Sequence, residues 1–485
     1  MAGQVLASPT YALTPSSERT PTAQNYIVNF DFLNQYLPDT YEKEFERYGN
    51  RTISSFLRMV GAEMPTNSDL IKWAEQGRLH TKYTSVGTTA ILNADTATFQ
   101  VNDTLDPTTA EQVIRIGQTV VIVQNDGSGV NKAVVTAVDN AAGGAGQFTV
   151  AFYEAGGLVT AGTGAGNADV TVFIYGSEFK KGTAGMVGSL EANDFIFENK
   201  PIILKDTYTV NGSDMAQIGW VEVTTEDGAT GYLWYLKSEH ETRLRFDDYL
   251  ETAMIEAVPA ETNSGAAAAL GSSGAAANPG AGSDGIFYAV TQRGNIWDGG
   301  NPTTLADFDS IISRLDKQGA IEENVLFIDR QFSFDIDDML AAQNSYGAGG
   351  TSYGLFDNDE EMALNLGFSG FRRGYDFYKT DWKYLNDPTM RGGLPSGANS
   401  GKINGLLVPA GSTTVYDQIL GKNAKRPFLH VRYRASETED RRYKTWITGS
   451  AGGAATSDID NMQVNFLSER AVCTLGANNF FLFQD

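Results

Sequence analysis

The chain has a single cysteine and few imidazoles. Its single cysteine, Cys473, excludes an intramolecular disulfide framework. Cys473 lies in a strand-like run and reads as a small buried hydrophobe. The three histidines, His80, His240 and His430, are far apart and none stands in an HExxH or HxH setting, so each reads as a structural residue rather than a ligand. No run reaches the roughly 18 apolar residues of a membrane span. The opening segment, MAGQVLASPTYALTPSSERTPTAQ, has no basic n-region and no apolar h-region, so no signal peptide is expected. These absences predict a soluble protein made in a reducing cytosol. Basic residues are also scarce: 36 Lys and Arg face 59 Asp and Glu, a formal charge of −23. A surface of that sign repels nucleic acid rather than gripping it.

Catalytic patterns are missing as well. Carboxylates cluster at Asp335-Ile336-Asp337-Asp338 and at Asp357-Asn358-Asp359-Glu360-Glu361. A calcium loop needs Gly at its sixth position and Glu at its twelfth. From Asp357 those positions hold Met362 and Phe368, and from Asp335 the sixth is Leu340, so both stretches read as solvated loops or interface charges. GANSGK (397–402) has three residues between its glycines where a phosphate loop needs four, and Ile403 stands where Ser or Thr is required. GTGAGN (162–167) reads as a turn between strands, and no GxSxG elbow with a downstream partner is present. No catalytic, cofactor-binding or metal-ligating residue is therefore assigned, and the chain is expected not to be an enzyme. Its aromatic residues, 21 Tyr and 26 Phe, could stack on sugars or bases but more often fill cores and interfaces.

What is present is a shape. At 485 residues, with 41% hydrophobic content and 52 glycines, the chain should form more than one domain, rich in loops and strands. Residues 1–38 are polar and aperiodic yet carry Tyr11, Tyr26, Ile27, Phe30, Phe32, Leu33, Tyr36 and Leu37, as expected of an arm that orders against something else. A helix is expected over 41–60, and a second over 69–78 capped by Ser68 or Asn67. From 83 to 176 come short β runs, VIRIGQTVVIVQ, KAVVTAVDN, QFTVAFYEA and DVTVFIYG, separated by glycine-rich turns. They predict a small antiparallel, barrel-like β domain.

The segment PIILKDTYTVNGSDMAQIGWVEVTTEDGATG (201–231) reads as a projecting β-hairpin arm. It feeds YLWYLKSEHETRLRFDDYLETAMIEAV (232–258), an amphipathic helix roughly 40 Å long. Leu233, Leu236, His240, Leu244 and Asp247 trace one stripe of that helix, and Phe246, Leu250, Met254 and Val258 an apolar track beside it, with Glu251 expected to be exposed. SGAAAALGSSGAAANPGAGSDG (264–285) is low in complexity and reads as a flexible loop. TTLADFDSIISRLDKQG is an amphipathic helix, ENVLFIDRQFSFDIDDMLAAQ reads as strand, turn and short helix, and KINGLLVPAG is a further strand. The end, from RPFLHVRYRASE to NMQVNFLSERAVCTLGANNFFLFQD, reads as closing strands.

This order of parts resembles the major capsid proteins of tailed bacteriophages of the Hong Kong 97 type, and looks closest to those of crAss-like gut phages. The resemblance rests on the arm, hairpin and spine order and on SERAVCTLGANNFFLF, not on a short diagnostic motif. It implies an α+β Hong Kong 97-type capsid fold with an inserted antiparallel β domain. Its parts would be an N-terminal arm (1–38), a helical segment (39–82), the insertion (83–176), an extended hairpin loop (177–229) and a spine helix of a peripheral domain (230–259). An axial domain (260–425, with the 264–285 loop) and the C-terminal strands of the peripheral domain (426–485) would follow. It further implies self-assembly into hexamers and pentamers of an icosahedral head around double-stranded DNA, without sequence-specific DNA binding or membrane contact. The partners implied are portal, scaffold and decoration or head-fibre proteins, and the location is the virion, assembled in the host cytoplasm. An encapsulin-like compartment shell, or a β-rich carbohydrate-binding or carbohydrate-processing protein, remains an alternative. Arg243, Arg245, Arg372 and Arg373 are candidates to pair with the acidic stretches 335–338 or 357–361 of neighbouring copies.

Burying several aromatic residues of the 1–38 arm would contribute roughly 1.5–3 kcal/mol each, against about 1–2 kcal/mol per residue ordered. Deletion of 1–38 is expected to leave folded subunits that form no stable shells. Sedimentation of the truncated protein checks this, and normal shells would refute it.

Overall fold

The computed structural model describes residues 62–77, 80–93, 95–101, 112–127, 129–139, 146–155, 170–189, 194–216, 223–224, 230–231, 234–261, 264–270, 281–319, 321–344, 370–395, 401–417, 422–453 and 455–484. They divide into two compact units: Ala74–Phe197, and the described residues on either side of it. The arm 1–38, the helix expected over 41–60 and the acidic stretch 357–361 lie outside the described residues.

The unit Ala74–Phe197 is built on strands β3 (Lys82–Asn93), β4 (Thr96–Val101), β5 (Gln118–Gln124), β6 (Val130–Asp139), β7 (Gln147–Phe152) and β8 (Val170–Ser177). They close into a barrel in the order β3-β4-β7-β6-β5-β8, with every pairing antiparallel. Period-two patterning drives the closure: in TATFQV, Ala97, Phe99 and Val101 are buried while the residues between them are not. Phe99 stacks on Phe148 at 5.6 Å between ring centroids, at the centre of a core that includes Val86, Val120, Ile122, Val150 and Val172. Closure leaves no strand edge to protect. The turn before β5 needs Gly117, whose φ is 88° and whose missing Cβ would fall 2.5 Å from the Phe179 ring.

In the other unit a five-stranded sheet runs β1 (Ala62–Thr66), β20 (Leu429–Arg434), β22 (Asn461–Thr474), β10 (Ile202–Asn211), with β21 (Lys444–Gly449) also on β22. The antiparallel pairing of β10 with β22 is continuous from Ile202–Arg470 to Asn211–Asn461. This corrects the arm expected over 201–231: its first strand is a member of a sheet, because Leu204 and Val210 bury against this unit's core rather than projecting. A short helix, α1 (Gly212–Ala216), follows, and then the small pair β11 (Val223–Thr224) and β12 (Thr230–Gly231).

The long helix α2 spans Trp234–Glu256. Phe246, Leu250 and Met254 are buried, as their spacing of four predicts. Phe246 and Leu250 pack with Met462, Val464 and Phe466 of β22, and Phe246 lies 5.7 Å from Phe466 and 5.5 Å edge-on from Tyr443, centroid to centroid. Two expectations fail here. Glu251 is 5% exposed, because it follows Leu250 closely enough to share its covered side. Val258 lies beyond the helix end and is exposed. The side chains of Leu233 and Leu236 lie outside the described residues.

A mixed six-stranded sheet runs β13 (Asn295–Asp298), β23 (Phe481–Gln484), β17 (Ile403–Pro409), β14 (Glu323–Ile328), β16 (Tyr375–Asp381), β15 (Gly370–Arg373). Its central strands are near-continuous apolar runs because both faces are covered. After α3 (Gly265–Leu270) and α4 (Ile286–Arg293) comes α5 (Leu305–Gln318), which with α6 (Arg330–Asn344) buries Phe308, Ile311, Leu315, Phe332 and Ile336 on one face, against Leu326, Phe377, Leu407 and Phe483. The opposite face, with Phe327, Leu406 and Leu482, meets Met254 and Ile255 of α2, Phe287 of α4, and Val431 and Val472 of the five-stranded sheet. Helix α5 starts on a capping box: Thr304 Oγ1 accepts from the Asp307 amide at 3.3 Å, and Asp307 Oδ2 accepts from the Thr304 amide at 3.0 Å. It ends on Gly319 at φ 77°. Further elements are a short helix, α7 (Lys383–Asn386), a hairpin of β18 (Ser412–Asp417) and β19 (Lys422–Pro427), and the strand β9 (Asp194–Asn199).

Four further expectations are corrected. Residues 69–78 form a strand, β2 (Ile71–Gln76), not a helix. Ile71 buries against Ala471 and Cys473 with every second residue outward, and the Ser68 hydroxyl binds the Leu70 backbone in a local turn instead of capping. This also overturns a wholly helical 39–82. The 264–285 stretch is not a loop throughout. It contains α3, and its end is buried where Ser283 Oγ donates to Asn199 Oδ1 at 2.9 Å and the Gly285 amide donates to Ala257 O at 2.8 Å. A Cβ on Gly285 would meet that same carbonyl at 2.6 Å. Asp335, Asp337 and Asp338 sit on α6 rather than in a solvated loop. Finally, the strands of 426–485 do not all join one sheet, since β23 crosses into the six-stranded sheet between β13 and β17.

Leu250→Asp or Met254→Asp should cost several kcal/mol by burying a charge without a partner. Tyr249→Asp, at an exposed neighbouring position, should leave the urea midpoint of the subunit nearly unchanged. Equal tolerance at all three positions would contradict the helix face described here.

Candidate functional site

Among the described residues no three or more His, Cys, Asp or Glu side chains gather as a metal site, and no helix is long and apolar enough to cross a membrane. The fold does not bring the histidines together. His80 is exposed, His240 is half-buried on α2, and His430 is buried on β20 with Nδ1 3.2 Å from Pro427 O. Cys473 is buried near the end of β22 and is in no disulfide. Asp337 forms an ion pair with Lys379 at 2.5 Å, both side chains nearly buried, so it ties α6 to β16.

The basic candidates are committed within the chain. Arg373 binds Asp309 through two nitrogens, one at 2.7 Å, and Arg372 pairs with Asp376 at 3.1 Å. Arg245 lies 3.7 Å from Asp206 on β10. Each of these three residues thus already has an acidic partner within its own chain. Arg243 is exposed on α2.

The feature that distinguishes this unit is the surface between β10 and α2. Strand β10 ends the described sheet, so one row of its amides and carbonyls faces away from β22. Beside it lies a groove of about 390 Å³ lined by Leu204, Lys205, Phe246, Tyr249, Thr252, Ala253 and Glu256. Tyr249 is exposed along it. An edge strand beside a mostly apolar groove can take an extended chain, with backbone hydrogen bonds giving affinity and the groove selecting side chains.

The groove ends on a clamp that local sequence does not announce. Glu256, the last residue of α2, accepts from Tyr384 Oη and from Arg391, whose Nη2 lies 2.6 Å from Oε2. Arg391 also donates to Gly401 O at 2.6 Å and stacks 5.1 Å from the Phe287 ring centroid. A carboxylate at a helix C-terminus opposes the helix dipole, and the guanidinium offsets that penalty. The partners lie 128 and 135 residues from Glu256, so only the tertiary fold joins them. Burial, and then the bond to Glu256, push the Tyr384 phenol well above its ordinary value.

No family model matches the chain, and no curated protein matches it. Solved structures do. One from Microbacterium phage Oxtober96 matches at 9% identity and TM-score 0.38, over 94% of this chain and 97% of its own. The cyanophage Pam1 capsid asymmetric unit matches at 12% identity and TM-score 0.35, over 64% and 82%. The holo-SrpI encapsulin complex of Synechococcus elongatus PCC 7942 matches at 11% identity and TM-score 0.32, over 60% and 77%. At such values function has to be read from this chain's own residues.

Arg391→Ala should lower unfolding free energy by about 1–3 kcal/mol by stranding Glu256. The folded pKa of the Tyr384 phenol is raised, so its contribution is complete below the ordinary tyrosine value of about 10 and is lost as pH rises toward the folded value. Tyr384→Phe should therefore flatten the alkaline decline in stability, read from urea midpoints at neutral and strongly alkaline pH. An unchanged decline would mean that Tyr384 does not carry it.

Proposed function

We propose that the chain is the major capsid protein of a tailed phage, of the Hong Kong 97 type, assembling as hexamers and pentamers into an icosahedral head around double-stranded DNA. One observation carries this reading: a 23-residue helix lies along a ten-residue strand that ends its sheet, with an apolar groove between them. That is a surface made to receive another chain. The order of parts in the sequence, with its aromatic arm ahead of this unit and a β insertion within it, supports the same reading. In it the groove takes an extended segment of a neighbouring copy. Each such contact is modest in strength, and the closed shell holds because many are made together.

The acidic excess supports a wall that does not grip its contents. Surface carboxylates keep DNA mobile by repulsion, screened over roughly 8 Å at physiological salt. Portal, scaffold and decoration or head-fibre proteins are the partners such a shell requires, with the virion as its location and the host cytoplasm as the place of assembly.

Electron microscopy of the expressed protein tests the proposal. Closed shells or curved hexameric sheets are expected, with no retention on duplex DNA at physiological salt. A monodisperse monomer under conditions where the authentic particle assembles would sink it, and steeply salt-dependent DNA binding would overturn the acidic-wall reading.

A further inference from the structure

The barrel carries side chains its core does not use. Along β8, Val170 and Val172 point inward and are fully buried, while Phe173 and Tyr175 point outward, 38% and 49% exposed. Register places Phe173 between Lys82 of β3 and Val121 of β5, and places Val121 opposite Lys132 of β6. Lys132 leads back to the aromatic residues: its ammonium lies 5.9 Å from the Tyr175 ring centroid, and its carbonyl accepts from the Tyr153 amide at 3.1 Å. Tyr153, 49% exposed, donates its hydroxyl to Glu178. Burial, and then that bond, raise the Tyr153 phenol to about 12, so it stays a donor fixed on the carboxylate. One wall of the barrel thus presents three exposed rings rimmed by two ammonium groups, a carboxylate and two phenols.

We propose that this wall is a saccharide-binding platform, with Tyr175 and Phe173 stacking against the apolar C–H face of a pyranose and Lys132 and Glu178 hydrogen-bonding its hydroxyls. The chemistry selects this occupant over the alternatives. A pyranose is amphipathic in the same sense as the wall, apolar on its ring face and polar around its edge, and the electron-rich ring faces attract its C–H bonds. A protein partner needs about 800 Å² on each side. Three side chains that present roughly 150–250 Å² each when wholly exposed, here half covered, offer far less. A single-stranded nucleic acid would stack on such rings, but it needs a cationic groove along its backbone. Here Glu178 sits among the rings, and the chain as a whole carries −23. The core beneath, centred on Phe99 and Phe148, is complete without these residues, so they are free to serve a ligand. The platform does not depend on whether the chain forms a shell.

Saturation-transfer NMR of the full-length protein with cellotetraose and with chitotetraose tests the platform. At least one of the two should receive saturation, strongest on its ring C–H protons. Tyr175→Ala and Phe173→Ala should each weaken that binding roughly tenfold or more, while Tyr175→Phe, which keeps the stacking face, should hold it within about twofold. Circular dichroism establishes that the variants remain folded; should an alanine variant unfold, Lys132→Met serves in its place and should weaken binding by removing a hydroxyl partner. Absence of saturation in both sugars would overturn the proposal. So would affinity unchanged in folded Tyr175→Ala and Phe173→Ala proteins, or tighter binding of a thymidine oligonucleotide than of either sugar.

Discussion

The apolar track of α2 is the contact on which the larger unit depends. Phe246 and Leu250 cover β22 of the five-stranded sheet, while Met254 and Ile255, one turn further on, enter the core beneath the six-stranded sheet. A single helix is thereby bound to two sheets. Each buried side chain on the track contributes about 1.5–3 kcal/mol relative to exposure. Because the contributions fall on consecutive turns of one rigid element, losing one loosens the others. The five-stranded sheet also needs this cover, since a sheet is stable only when its hydrophobic face is packed.

Charge completes what apolar burial begins. The chain has far more acid than base, yet its ion pairs sit where elements must be held together. Lys379 to Asp337 joins β16 to α6, Glu256 to Arg391 joins the end of α2 to the segment after α7, and Glu63 to Arg470 at 3.4 Å joins β1 to β22. A pair removed from water is costly to break, because the remaining partner keeps its desolvation penalty. Bases are thus spent on internal geometry, and the surplus carboxylates are left for the surface.

The two units solve the strand-edge problem differently, and this separates their roles. The barrel pairs every strand on both sides and offers a neighbour only side chains, among them the rings of Phe173, Tyr175 and Tyr153. Among the described residues the five-stranded sheet stops at β10 and offers backbone as well. An open edge invites addition of another chain, whereas a closed wall with amphipathic rings invites a small ligand.

Much of this was legible in the residues. Period-two alternation marked the barrel strands, spacing of four marked Phe246, Leu250 and Met254, and amphipathic patterning marked TTLADFDSIISRLDKQG as the helix α5. These are local patterns, and local physics decides them: a buried face repeats with the period of its element. What failed depended on distant partners. IKWAEQ had a helix-like start after Ser68, but Ala471 and Cys473 gave Ile71 a sheet to lie on. The arm strand at 202–211 had no partner in its own neighbourhood until β22, some 250 residues later, supplied one. Glu251 took its burial from packing on α2, which the helical wheel of one chain segment does not contain. By itself, then, the sequence determined the barrel strands, the helices α2 and α5 with their apolar tracks, and the sign of the net charge. Only the tertiary structure decided which strands share a sheet, that Glu256 meets Tyr384 and Arg391, and that β10 is left as an edge beside a groove, because those outcomes are contacts between residues that the chain holds far apart.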